Sequence, residues 1–413
     1  MHDGRYEHVT SLFSKVDTDH DAQQLTERFV ERFDERDANG KLINDMETWS
    51  VRGLYEAFRN ADIRADRDPD NIQESQGTSS FTQAISGLVA KKILQSHDDI
   101  SNNRKIVGSS LVRVVPTKKK SEKVLRFSSH PLFKVKPEGV DIQPFELAEA
   151  YYGYSTARFA RSVKLTEELV MFDQTDQIWQ KAIALGESAA LSKEYLILHS
   201  VLDLQGSHQM GYWDAAEGGV AFYVYRPSDA AADMYSASSP SGAAAGNLIT
   251  SNALVDWTDL QNCKSRLNGF YDDTPEKLND NIADGVAGKR MVPSLNRMLL
   301  IPEALEEKAY QIFGAGGDPF TAENRRNPAA PGGPLHARFL CSNILDEQSA
   351  STWYYGDFAR QFEYREVFPF RTLQAMRRDS LELMRKGLYG EAIGEFYAGV
   401  AAMDNRNVIM CTA

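Results

Sequence analysis

The most regular pattern of apolar positions along the chain predicts a long amphipathic helix from near Thr166 to Asp203. Thr166 followed by two glutamates is typical of a helix N-terminus, and Gly186 is the only glycine or proline in the stretch. At ~1.5 Å per residue the helix would be roughly 55 Å long, which indicates a spine that exceeds the needs of a small core. Its apolar positions recur at steps of seven and four on one face: Phe172, Trp179, Ile183, Ala190, Ile197 and Val201.

Two apolar runs before this helix predict a pair of β-strands. Leu111–Val115 and Lys123–Phe127 flank a polar turn at residues 116–122, a pattern typical of a long β-hairpin within residues 104–136. This stretch contains ten Lys and Arg but only one acid, Glu122. We therefore expect a projecting hairpin with a solvated basic tip.

Shorter elements fill the rest of the chain. A Ser/Thr/Gln-rich patch at residues 73–83 precedes a short amphipathic helix near residues 85–94, and Pro302 begins a helix that Gly314 ends. In that helix Leu305, Ala309 and Ile312 are expected to face inward. The remaining patterns predict helices at residues 256–270 and 373–386 and strands at residues 297–301, 339–345, 352–358, 362–368 and 407–411.

Charge separates the first 75 residues from the rest. They contain 18 Asp and Glu against 10 Lys and Arg, with patchy helical spacing over residues 12–33 and 46–64. Such a segment buries little by itself, so we expect an extended arm or a docking element. The whole chain of 413 residues has a formal net charge of −12, which should repel nucleic acid and anionic membranes.

Composition narrows the class of protein. Hydrophobic residues make up 42% and charged residues 25%, as in ordinary folded proteins. Three cysteines without a CxxC pair argue against a disulfide framework and favour folding in a reducing cytoplasm. No apolar run approaches the ~20 residues that a membrane-spanning helix needs.

Three segments, in their order along the chain, carry a family resemblance. They are Tyr154–Val170 leading into the spine helix, the strand–proline–helix of Asn296–Ala309, and the aromatic run Ser351–Phe362. Over residues 80–413 the chain resembles the major capsid proteins of tailed bacteriophages, which share the Hong Kong 97-type fold with encapsulin shells. Each motif is loose alone, and the specific signal is their order.

The resemblance implies an α+β Hong Kong 97-type capsid fold with an N-terminal arm, an extended β-hairpin called the E-loop, a long spine helix, and peripheral and axial domains. The expected divisions are as follows: an acidic helical arm or scaffold-like segment (1–75), a linker and short helix (76–100), the E-loop hairpin (101–145), the peripheral domain with the spine helix (146–235), the axial domain (236–335), and the C-terminal strands and helix of the peripheral domain (336–413).

The implied function is structural. Copies of the chain would form hexamers and pentamers that build the icosahedral head around phage double-stranded DNA, contacted non-specifically, in a virion assembled in the host cytoplasm. The implied partners are the chain itself, a portal, and scaffolding or decoration proteins, with no membrane. Two alternatives stay open: an encapsulin-like cargo compartment, which the acidic first segment disfavours, and a soluble α/β enzyme.

Candidate chemistry is weak throughout the sequence. The acidic run Asp17–Asp21 resembles a calcium loop but has Ala22 and Arg28 where that loop needs glycine and glutamate. His199, Asp203 and His208 fit no standard metal spacing. We therefore predict no catalytic residue, no cofactor and no metal.

The basic hairpin has three interpretations. Its cations could form a solvated strand face, follow a phosphate backbone, or dock on an acidic neighbouring subunit. We favour docking, since a lone hairpin is marginally stable and complementary charge sets register and association rate. The residues predicted to contact a neighbouring subunit are Arg113, Lys118, Lys119, Lys120, Lys123 and Arg126.

Overall fold

The structure is a computed structural model with α+β architecture. It describes residue 54 and residues 76–103, 106–127, 138–139, 149–166, 168–169, 172, 175–202, 235, 246–270, 296–314, 327–347, 349–376, 385–403 and 406–413. The predictions for the acidic first segment therefore lie outside the described residues, apart from Leu54, which is helical and buried. The chain divides into unit 1 (residues 1–103, 158–192 and 368–396) and unit 2 (residues 104–157, 193–367 and 397–413).

The helices in the described residues are α1 (Gln76–Ser101), α2 (Gly108–Leu111), α3 (Thr175–Leu202), α4 (Trp257–Leu267), α5 (Glu306–Gly314) and α6 (Phe358–Gln361), with 3₁₀ turns at Glu303–Leu305 and Asn343–Glu347. The strands are β1 (Arg113–Pro116), β2 (Ser121–Phe127), β3 (Glu149–Ser155), β4 (Ala157–Thr166), β5 (Leu248–Ile249), β6 (Met298–Pro302), β7 (Arg338–Ser342), β8 (Trp353–Gly356), β9 (Phe362–Met376), β10 (Leu388–Ala402) and β11 (Val408–Cys411).

Unit 1 places α1 and the first part of α3 against strands in the order β9-β10-β4. The two helices are in close contact at Gly186, where an added Cβ would collide with the carbonyl oxygen of Ile93 and lie 2.9 Å from the backbone nitrogen of His97. On the sheet side, His97 stacks on Phe370 of β9 with ring centroids 4.4 Å apart. Gly186, an interruption in the sequence pattern, is therefore a point of close helix packing that leaves no room for a side chain.

The long spine helix does not begin near Thr166 as predicted, although the Leu169 N–H does donate to the Thr166 hydroxyl at 3.4 Å and residues 168 and 169 are helical. Residues 157–166 form β4, in which Val163 and Leu165 are buried between exposed neighbours, so the period is that of a strand. The helix begins at Thr175, and its 28 residues give a length of about 42 Å. Phe172 lies outside it and is 72% exposed, whereas Trp179, Ala190, Ile197 and Val201 of the predicted apolar face are buried and Ile183 is partly buried.

Unit 2 is built on a mixed five-stranded sheet with the order β5-β11-β8-β6-β7. β11 pairs parallel with β5 and antiparallel with β8, while β6 pairs antiparallel with β8 and parallel with β7. One face packs against α4 and α5 through a core that includes Ile301, Trp353 and Ile409. On the other face Tyr354 packs against Tyr235, whose hydroxyl donates to the Val201 carbonyl of α3 at 2.8 Å. Burial on both faces explains why these strands read as continuous apolar runs.

Most predicted elements of unit 2 are confirmed, because each has a local signal. Asp256 caps α4 by accepting the Thr258 N–H at 2.7 Å, within a reciprocal capping box with Asp259. Pro302 precedes the turn into α5, where Ala309 and Ile312 are buried as expected. β7, β8 and β11 also occur near the predicted positions.

Two other predictions differ from the structure. α1 is 26 residues long, because it includes most of the Ser/Thr/Gln-rich patch read as a linker. The helix expected at residues 373–386 is wrong over residues 373–376, which continue β9 to Met376. β10 was not predicted: it carries three glycines and four alanines, which give no clear period in the sequence.

Candidate assembly surface

The basic segment is organised by two strands that do not pair with each other. β1 pairs in parallel with β9, with Arg113 opposite Glu363. β2 pairs antiparallel with β3, from Ser121 opposite Ser155 to Phe127 opposite Glu149. The predicted hairpin between residues 111–115 and 123–127 is therefore wrong in its pairing, because apolar alternation identifies a strand but not its partner. The actual hairpin, β2 with β3, begins after the lysine run.

The backbone of the lysine run is held at both ends by unit 2. Thr117 donates its N–H to the Glu366 carbonyl of β9 at 2.8 Å. Thr156 donates both its N–H, at 2.8 Å, and its hydroxyl, at 3.0 Å, to the Lys120 carbonyl. Lys118, Lys119 and Lys120 are all exposed between these two anchors. The lysine run therefore forms an exposed basic surface on an ordered backbone.

A small polar cluster lies under Lys119. Its ammonium pairs with Glu122, and the buried Tyr154 hydroxyl donates to the same carboxylate at 3.1 Å. The Tyr154 and Thr117 hydroxyls are 2.7 Å apart. The hydrogen bond from Lys119 lowers the pKa of the Glu122 carboxyl, and the same bond raises the pKa of Lys119. Lys119 therefore already has an acidic partner in its own chain.

Arg113 is also paired within the chain. Its guanidinium contacts the carboxylate of Glu363, which is buried in β9, and Arg365 contacts the other oxygen of that carboxylate. The Arg365 guanidinium lies 5.0 Å from the Tyr154 ring centroid. A buried carboxylate needs opposite charges beside it. Arg113 therefore has a structural role within the chain, because it neutralises Glu363 together with Arg365.

The six residues predicted to contact a neighbour thus fall into three groups. Arg113 and Lys119 form ion pairs within the chain. Lys118 and Lys120 are exposed beside them. Lys123 and Arg126 lie in β2 opposite Gly153 and Ala150, and their side chains fall outside the described part of the chain.

Glu194 is a structural residue that sequence reasoning missed. It lies on α3 and is buried, and its carboxylate accepts the backbone N–H groups of Val107 at 3.0 Å and Gly108 at 2.7 Å. Val107, at the N-cap of α2, has no side chain that could accept those bonds. Burial raises the pKa of Glu194 even though both backbone bonds oppose the rise. A carboxylate on the apolar face, between Ala190 and Ile197, is the sequence signal that could have identified it.

The described residues show no metal-binding cluster. They contain no group of three or more His, Cys, Asp and Glu side chains that could hold a metal ion. His199 lies on α3 edge-on to Tyr195, and Asp203 and His208 are outside the described residues. Within the same residues, no helix is both long enough and apolar enough to cross a membrane.

Residues 150–402 match the model of the phage capsid protein family, so the chain belongs to that family. It is a subunit of the icosahedral head shell, located in the virion capsid and assembling with copies of itself, and not an enzyme. The family match thereby decides between the phage capsid and the two alternatives left open by the sequence.

Solved capsids show a distant likeness. The capsid structure of cyanophage P-SCSP1u is 12% identical with a TM-score of 0.44, over 73% of this chain and 86% of that one. A chain from Mycobacterium phage Ogopogo is 14% identical with a TM-score of 0.38, over 74% and 91% of the two chains. A virus-like particle from Pyrococcus furiosus is 8% identical with a TM-score of 0.39, over 78% and 98%. No curated protein matches the chain.

Proposed function

We propose that the shell has a Hong Kong 97-type organisation of hexamers and pentamers, in which the β2–β3 hairpin is an E-loop that lies on a neighbouring subunit. The lysine run would supply the electrostatic part of that contact, chiefly through Lys118 and Lys120. The carrying observation is that the backbone of the run is anchored at Thr117 and Lys120 while its side chains are exposed. Anchoring lowers the entropy lost when the surface binds.

The charges of the chain support an acidic partner. The formal net charge is −12, and residues 104–136 carry ten cations against one acid. The surface outside this basic stretch is therefore acidic, so the basic stretch of one copy can pair with the acidic surface of a neighbouring copy. Such complementarity steers association and sets register more than it adds affinity. Lys119 contributes less than its neighbours, because its ammonium already pairs with Glu122.

The remaining parts of the proposal concern other components. Phage double-stranded DNA would be enclosed and contacted non-specifically, since an acidic subunit does not hold phosphate strongly. A portal, and scaffolding or decoration proteins, would be the other protein partners. The acidic residues 1–75 would serve as an arm or a scaffold-like segment.

Charge reversal at the two exposed lysines tests the docking surface. The variant carrying Lys118→Glu and Lys120→Glu should fold normally. At low salt, the rate at which it forms closed shells should fall by about tenfold or more, because electrostatic steering accelerates association by that factor. Light scattering and negative-stain microscopy of the full-length protein measure this. Added salt should slow the wild type towards the variant.

The matched control changes two exposed lysines outside the lysine run, Lys164→Glu and Lys308→Glu, with the same change in net charge. It should assemble like the wild type. If the variant with Lys118→Glu and Lys120→Glu assembles as fast as this control, electrostatic docking is refuted. If it assembles normally but its shells package less DNA, the cations contact phosphate instead.

A further inference from the structure

Two of the three cysteines meet in the core of unit 2. Cys263 lies on α4 and Cys411 on β11, and their Sγ atoms are 3.1 Å apart although the residues are separated by 148 positions. Both side chains are fully buried and both are thiols. The third, Cys341, lies on β7 and is partly exposed. The proximity is a product of the tertiary fold.

Ordered elements hold the two thiols in place. Cys411 is opposite Trp353 of β8 and Ile249 of β5, so β11 is paired on both sides. Cys263 lies in a helix whose first turn is capped by Asp256. A disulfide needs its sulfurs at ~2.05 Å, so they must approach by only about 1 Å. The Asn252 side-chain amide donates towards both sulfurs, at 3.8 Å and 3.5 Å, and can stabilise a thiolate.

We propose that Cys263 and Cys411 form an intrachain disulfide when the virion meets an oxidising medium. In the reducing host cytoplasm both remain thiols. Outside it, a small peroxide is the oxidant. One thiolate displaces hydroxide from the peroxide to give a sulfenic acid. The second thiol attacks that sulfur, which releases water, so two thiols and one hydrogen peroxide give one disulfide and two waters.

The bond would connect α4 covalently to β11. It would close a loop of 148 residues, and long loops restrict the unfolded chain most. We expect the thermal midpoint of the oxidised protein to rise by roughly 5–10 °C. Burial raises the pKa of the Cys263 thiol, so the reaction should be slow at neutral pH and faster at alkaline pH.

The test uses full-length protein purified under reducing conditions and then exposed to hydrogen peroxide. Unfolding in N-ethylmaleimide without reductant should label three cysteines before oxidation and one afterwards, and peptide mass mapping should find Cys263 joined to Cys411. Cys341→Ser should show the same loss of two labels and the same thermal shift. Cys263→Ser and Cys411→Ser should show neither.

Two outcomes overturn the inference. One is a crosslink that involves Cys341, or sulfinic acids at the paired cysteines instead of a bond. The other is the persistence of both thiols in the folded protein after prolonged exposure to peroxide at alkaline pH, where the reaction should be fastest. The test is independent of the docking proposal, since neither cysteine lies in the hairpin.

Discussion

Replacing Glu194 should destabilise the connection into the basic segment, because its carboxylate is the acceptor for two buried N–H groups. Glu194→Ala leaves the Val107 and Gly108 amides without that acceptor. A buried donor without a partner costs about 1–3 kcal/mol, so for two donors the free energy of unfolding should fall by about 2–6 kcal/mol. Glu194→Gln keeps one carbonyl oxygen as an acceptor, so its free energy of unfolding should fall by about half as much as that of Glu194→Ala.

Urea unfolding of the unassembled subunit measures the effect. The unfolding midpoint should fall in the order wild type, Glu194→Gln, Glu194→Ala, with an unchanged dependence on urea. Glu187→Ala, in the same helix but only partly buried, is the control and should change stability by about 0.5 kcal/mol or less. The reasoning is refuted if Glu194→Ala matches this control, or if Glu194→Gln is the less stable of the two.

The acidity of Glu194 adds a second measurement on the same variants. Burial raises its pKa in the folded protein above that in the unfolded chain, so the folded state binds more protons between the two values. The contribution of this group to stability is therefore fully present below the unfolded pKa and is lost as pH rises through the folded pKa. Glu194→Gln should remove this part of the pH dependence, and an unchanged profile would contradict the assignment.

Three further predictions concern packing, electrostatics and capping. Gly186→Ala should lower the free energy of unfolding by about 1–3 kcal/mol in thermal denaturation, because a methyl group collides with α1, and no loss would contradict the close packing. Glu395 is buried, which opposes ionisation, but hydrogen bonds from Arg371 and Arg158 outweigh burial and lower its pKa. The contribution of Glu395 to stability is present above its unfolded pKa and is lost as pH falls through its folded pKa. Glu395→Gln should therefore be less stable than the wild type near neutral pH and should lose stability less steeply in acid. An acid dependence as steep as in the wild type would exclude Glu395 as its source. Asp256→Ala should cost about 1 kcal/mol by calorimetry through loss of the α4 cap, whereas Asp256→Asn should cost less.

The elements that sequence predicted correctly carry their signals locally. Asp256 begins α4, and Pro302 separates β6 from the helix that follows it. In the later part of α3, Ala190, Ile197 and Val201 are buried as their spacing indicates. Capping, proline geometry and helical period each act within a few residues, so the sequence around each element contains all the information needed to predict it.

The elements predicted wrongly depend on distant partners. Residues 113–116 pair with residues 363–366, about 250 positions later, and not with β2. Residues 373–376 extend a strand because sheet neighbours hold them there. Thr166 ends β4 and its hydroxyl also accepts the Leu169 N–H, at the start of a short helical segment, but the long helix α3 begins only at Thr175.

The assembly surface divides in the same way. The sequence by itself determined that a strongly basic stretch precedes a long helix in an acidic chain, because charge and periodicity are properties of the residues alone. Only the tertiary structure decided that Arg113 pairs with Glu363, that Lys119 pairs with Glu122, and that Lys118 and Lys120 are exposed beside them. It also decided that Glu194 accepts two buried amides and that two cysteines 148 positions apart meet in the core. Partners are selected by burial and strand pairing between distant segments, and local spacing contains no record of that selection.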